Sequence, residues 1–99
     1  MALLHVAFQD GFTGDTVIAR VNGEVVFHKQ NVKTRTQIGL ADSFEMNLGQ
    51  GPVSIEILLP SKNLSKTIVL EMSAAVYVGV STHDGRIDYR TSDEPFGYL

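Results

Sequence analysis

Thr16-Val17-Ile18-Ala19-Arg20-Val21-Asn22-Gly23-Glu24-Val25-Val26-Phe27-His28 places a β-branched run on either side of an Asn-Gly pair. Asn and Gly both tolerate the positive φ of a tight primed turn, so the flanking runs read as the two strands of a β-hairpin. The register follows from sorting side chains between two faces. A two-residue loop pairs Val21 with Glu24 and mixes Glu24 and His28 into the apolar set. A three-residue loop, with Gly23 left-handed in a bulge, sets Arg20 opposite Glu24, Ala19 opposite Val25 and Val17 opposite Phe27. That leaves one face wholly apolar, so the pattern predicts the three-residue register, with the Arg20 and Glu24 charges adding ~0.2–1 kcal/mol.

Outward from the hairpin the same period of two recurs. Leu4, Val6 and Phe8 alternate with Leu3, His5 and Ala7, and the Gly- and Asp-rich residues 9–15 then break the run as a loop. Lys29-Gln30-Asn31 reads as a turn into a strand over residues 32–40, where Val32, Thr34, Thr36, Ile38 and Leu40 alternate with Lys33, Arg35 and Gln37. Its threonine-rich inner side suits a sheet edge. Phe44, Met46 and Leu48 begin another strand, which residues 49–52 join as a hairpin to the run over residues 53–59, ended by Pro60. Ile68, Leu70 and Met72 share a face, as do Val76, Val78 and Val80, and a turn over residues 81–85 leads to Ile87 and Tyr89.

Turn signals every eight to twelve residues and no long amphipathic helical window predict an all-β fold: a single antiparallel β-sandwich, Ig-like or jelly-roll-like, of about eight or nine short strands. Antiparallel pairing is expected because parallel neighbours need crossovers longer than these loops. The expected core is Val17, Ala19, Val25, Phe27, Ile55, Ile57, Ile68, Leu70, Val76 and Val78. The 99 residues read as one domain, 1–99, with 91–99 as a docking tail.

Composition narrows the function class. A net charge of −3 argues against the basic surface of a nucleic-acid binder, and no apolar run approaches the ~20 residues of a membrane helix. No cysteine is present, so disulfides and thiolate metal sites are excluded. Met1-Ala2, without a basic and apolar leader, fits a cytoplasmic start or a cloning scar, the alternative being a processed exported form.

Catalytic signals are weak. His5, His28 and His83 are scattered with no spacing that pairs two metal ligands, and no nucleophile or phosphate-loop motif occurs. The expectation is a non-enzymatic protein without cofactor or metal, the alternative being calcium held by Asp10 and Asp15 in the loop 10–15. Lys29, Lys33 and Arg35 form a basic patch, the last two on one face of the expected edge strand, where lysines commonly block strand pairing and otherwise suit an acidic partner. The tail Ser92-Asp93-Glu94-Pro95-Phe96-Gly97-Tyr98-Leu99 joins an acidic lead-in to an aromatic end. Phe96, Tyr98 and Leu99 are read either as a docking segment or as a flap over the protein's own core.

Val21-Asn22-Gly23-Glu24 followed by Val32-Lys33-Thr34 resembles bacterial β-sandwich accessory modules, including carbohydrate-binding ones. The resemblance implies binding rather than catalysis. The chain contains no tryptophan, so a sugar platform would fall to Tyr77, Tyr89 and Phe12. The sequence thus points to a module binding a protein partner or itself through an edge strand and the aromatic tail. A carbohydrate-binding accessory module, assisted by calcium, is the alternative, and a homo-oligomer is expected because an unpaired edge and an aromatic tail both seek cover.

Overall fold

The computed structural model describes residues 1–35 and 37–96. Eight strands follow in order: β1 (Ala2–Phe8), β2 (Thr13–Val21), β3 (Glu24–Lys33), β4 (Asp42–Leu48), β5 (Gly51–Leu59), β6 (Leu64–Met72), β7 (Val76–His83) and β8 (Arg86–Ser92). They form a β-sandwich of two four-stranded sheets, one ordered β4-β1-β7-β8 and the other β3-β2-β5-β6. The alternating residues meet between the sheets. Leu4, Val6, Phe8, Val17, Ala19, Ile55, Ile57, Leu59, Ile68, Val78 and Val80 are fully enclosed. Among the described residues no helix is long and apolar enough to cross a membrane.

The hairpin that organises the sequence closes differently from the expected register. Asn22 and Gly23 both take positive φ, 52° and 83°, and form a two-residue turn with Val21 opposite Glu24. Arg20 then faces Val25, and the next pair is Ala19 with Phe27, so Val26 is an extra residue, a β-bulge. The turn chemistry and the apolar pattern disagree by one residue, and the bulge reconciles them. Phe27 recovers the inward side, whereas Val25, expected in the core, is 51% exposed. Arg20 pairs instead with Glu56 on β5, at 3.2 Å. Phe27, Leu70 and Val76 pack against the core half-buried.

Three further expectations give way to tertiary structure. Residues 29–31 are not a turn: β3 runs through them, with Asn31 at φ 57° beside a register shift. Residues 34–35 and 37–41 are not a strand but a connection to the other sheet, closed by an isolated Arg35–Leu40 bridge and tied down where Thr34 Oγ1 donates to the Gln9 carbonyl; Thr36 of the expected strand lies outside the described residues. Residues 49–50 make no hairpin either, since β4 and β5 lie in different sheets. Finally, β1 and β7 pair in parallel. Loop length does not limit this pair, because the connection between β1 and β7 runs through the strands from β2 to β6 rather than through one loop.

Phe12, placed in a loop by the sequence pattern, is buried, edge-on to Phe8 at 5.8 Å between centroids. Phe8 also meets Phe27 at 5.1 Å and Phe44 at 6.1 Å, and Phe27 stacks on Phe44 at 5.4 Å. This aromatic cluster fills the sandwich near β3 and β4.

Candidate functional site

A sandwich has two open sides where the edge strands of its sheets face one another. On one side Lys66, opposite the enclosed Ile57 and therefore pointing inward from the edge strand β6, reaches across to the ring of Tyr89 on β8, 5.8 Å from its centroid. On the other, Lys29 points inward from edge strand β3 opposite Val17 and meets Asp42 at the start of β4, Nζ to Oδ2 at 2.6 Å. Inward charges and bulges on an edge strand discourage another chain from pairing with it. β3 carries both devices, and β6 carries the lysine.

β4 holds one inward charge, Asp42 opposite Phe8 at its start, which Lys29 pairs, and none from Phe44 to Leu48. It pairs residue for residue with β1, from Ala2 opposite Leu48 to Phe8 opposite Asp42, without a register shift, and its other edge is free. Its inward side chains Phe44, Met46 and Leu48 are only half-buried, as are the facing Val26 and Phe27. A regular edge thus runs beside an incompletely covered apolar seam.

At the N-terminal end of this edge lies a groove of about 420 Å3 lined by Lys29, Asn31, Lys33, Arg35 and Asp42 among others. A neighbouring cleft of about 220 Å3 shares Lys29, Arg35 and Asp42 and continues to Ser43. Burial pushes the Asp42 carboxyl up, but the Lys29 hydrogen bond, the Ser43 amide and the charges of Lys29 and Arg35 together hold it below its ordinary value. Asp42 is therefore ionised and committed to Lys29. Among the described residues Lys33 and Arg35 form no ion pair, so the basic patch read from the sequence is brought together beside β4, though not on the strand that was expected to carry it.

The outer face of the β4-β1-β7-β8 sheet gathers most of the remaining candidates. Tyr77 lies against His5, ring centroids 5.7 Å apart, and His5 Nδ1 is 3.1 Å from Glu45. Phe96 of the tail covers the Arg90 guanidinium at 4.5 Å, so at this residue the tail folds back on its own sheet; Tyr98 and Leu99 lie outside the described residues. A shallow cleft of about 330 Å3 has Gly79 in its lining with Gln9, Asp10, Ser81, His83, Asp88 and Arg90. A Cβ on Gly79 would stand 2.5 Å from Gln9 Oε1, so glycine here makes room for the glutamine.

Other candidates are separated. Phe12 is in the core, Tyr89 stands at an edge under Lys66 and Tyr77 is on the outer face, so these three rings form no common platform. Asp15 is buried and its carboxylate is taken: it accepts from the Thr13 amide at 3.0 Å and Ser61 Oγ at 3.2 Å and pairs with Lys62 at 3.2 Å. It anchors the 3-10 turn Pro60–Lys62 to β2, while Asp10 faces the outer cleft. Among the described residues no group of three or more His, Asp or Glu side chains is placed to hold a metal. His83 pairs with Asp88 at 2.8 Å at the end of β7, and His28 is exposed on β3 opposite Ile18.

No family model matches the chain, and no curated protein matches it. Phe44, Met46 and Leu48 were legible as an apolar face, but nothing in their spacing signals that the face is left half-covered. Gln9 and Gly79 carried no signal in the sequence that would have joined them.

Proposed function

We propose that this protein is a non-catalytic interaction module that takes an extended protein segment along the free edge of β4. The observation that carries this reading is the stretch of β4 from Phe44 to Leu48, a regular edge without an inward charge beside half-buried Phe27, Phe44, Met46 and Leu48, whereas β3 and β6 hold inward lysines and Lys66 of β6 covers Tyr89 on the remaining edge, β8. An added strand gains main-chain hydrogen bonds from the unpaired edge and specificity from alternate side chains in the seam. The occupant is a separate protein or a second copy of the chain, and sedimentation equilibrium distinguishes them.

The test is selection from a random peptide display library, followed by hydrogen exchange on the complex. Selected peptides should alternate apolar and polar residues and slow exchange at β4 amides. Met46→Lys, which installs on β4 the inward lysine that β3 and β6 already carry, should abolish binding without unfolding the protein. Protection confined to the outer face of the other strands would refute the assignment. A polar ligand such as a sugar is the second reading, favoured by the cleft that joins Gln9, Asp10, Ser81, His83 and Arg90. Saturable glycan-array hits lost in Tyr77→Ala or Arg90→Ala would favour it.

A further inference from the structure

The open β3/β4 side is asymmetric along its length, and the asymmetry is electrostatic. Near the C-terminal end of β4 the seam is apolar, with Met46 and Leu48. At the N-terminal end Lys29, Lys33 and Arg35 stand around Asp42. Asp42 contacts Lys29 at 2.6 Å and also feels the charge of Arg35, so one carboxylate faces three cations. Lys33 and Arg35 are exposed, form no ion pair among the described residues, and belong to a chain whose net charge is −3. Three cations around one carboxylate leave a net positive charge, so the open sheet edge beside them favours a negatively charged occupant.

From this we infer that the segment added to β4 is acidic at the end that reaches the groove: an antiparallel strand whose apolar residues fill the seam and whose C-terminal Asp or Glu side chains meet Lys33 and Arg35. Antiparallel addition sets the C-terminal end of the incoming strand beside the start of β4. Arg35 offers a planar fork suited to a carboxylate, and Lys33 a mobile point charge. The inference rests on the strand-addition reading and adds the partner's chemistry and polarity to it.

Two designed peptides separate the claims. Each is a run of alternating Val and Thr, one ending in Asp-Glu-Asp and the other in Asn-Gln-Asn, and binding is read by fluorescence anisotropy with hydrogen exchange at β4. The acidic peptide is expected to bind at least about tenfold more tightly, and its advantage should shrink as salt rises from about 50 to about 300 mM. Lys33→Glu with Arg35→Glu, both at exposed positions, should remove that advantage while leaving the neutral peptide's affinity unchanged. Met46→Lys should weaken both peptides.

Equal binding of the two peptides, or an acidic preference that survives the double charge reversal, overturns the acidic-partner inference and leaves strand addition standing. If neither peptide protects β4 amides, both readings fail. A preference for a peptide with its acidic residues moved to the N-terminal end overturns the stated polarity. Inorganic phosphate that shifts the Lys33 and Arg35 amide resonances as strongly as the peptide, with no protection of β4 by either, would make the groove a small-anion site and overturn the proposal.

Discussion

Deleting Val26 tests the account of the central hairpin. The residue is the one that two-strand pairing leaves over: Arg20 faces Val25 and Ala19 faces Phe27, so removing it keeps the Asn22-Gly23 turn and the pairs Ala19–Phe27, Ile18–His28 and Val17–Lys29. Phe27 stays inward, because Val25 and Phe27 then alternate as neighbours on an ordinary strand. The loss is the packing of a half-buried valine, about 1 kcal/mol when full burial contributes ~1.5–3 kcal/mol. A restored ladder step offsets this by ~0.5–1.5 kcal/mol. The net change should stay within ~1 kcal/mol in urea denaturation, with the Ala19–Phe27 contact intact by nuclear Overhauser effects. A loss above ~3 kcal/mol, on the scale of a core truncation, or loss of that contact, would refute the idea that the bulge only reconciles turn and pattern. The deletion should also raise self-association by sedimentation, since it removes one of the irregularities guarding β3.

Other outcomes follow from the same geometry. Phe8→Ala, at a fully enclosed ring touching three other phenylalanines, should cost ~3–5 kcal/mol in chemical denaturation, and Phe27→Ala, half-buried at the open side, should cost less. Gly11→Ala should fail to give stable protein in a thermal melt, because its φ is +90° and a Cβ would collide with the Thr82 carbonyl; Gly49→Ala, with open space and no positive φ, should be neutral or stabilising by up to ~1 kcal/mol. The Asp42 carboxyl is held below its ordinary value of 3.8, so its contribution is present above that value and is lost as pH falls through the lower folded value. Asp42→Asn should therefore flatten the acid limb of stability against pH below about 4, and an unchanged limb would remove Lys29–Asp42 from the account.

The sequence by itself determined the all-β class, the inward residues of most strands and the turn at Asn22-Gly23, because side-chain alternation and the positive-φ tolerance of Asn and Gly are local properties. It also announced Lys29, Lys33 and Arg35 as a cluster, through nearness in the chain. Tertiary structure decided what depends on which strand lies beside which. The parallel β1–β7 pair, the placing of β3 and β4, and of β4 and β5, in different sheets, and the pairing of Arg20 with Glu56 are products of strand order, which alternation does not encode. The bulge at Val26 was hidden for a related reason: the turn and the apolar face each specified a register, the two differed by one residue, and a free edge tolerates the extra residue that satisfies both. The candidate site belongs to this second kind of information. Phe44, Met46 and Leu48 alternate like any core strand, and only their place at the edge of one sheet, opposite a bulged edge of the other, leaves them half-covered beside Lys33 and Arg35.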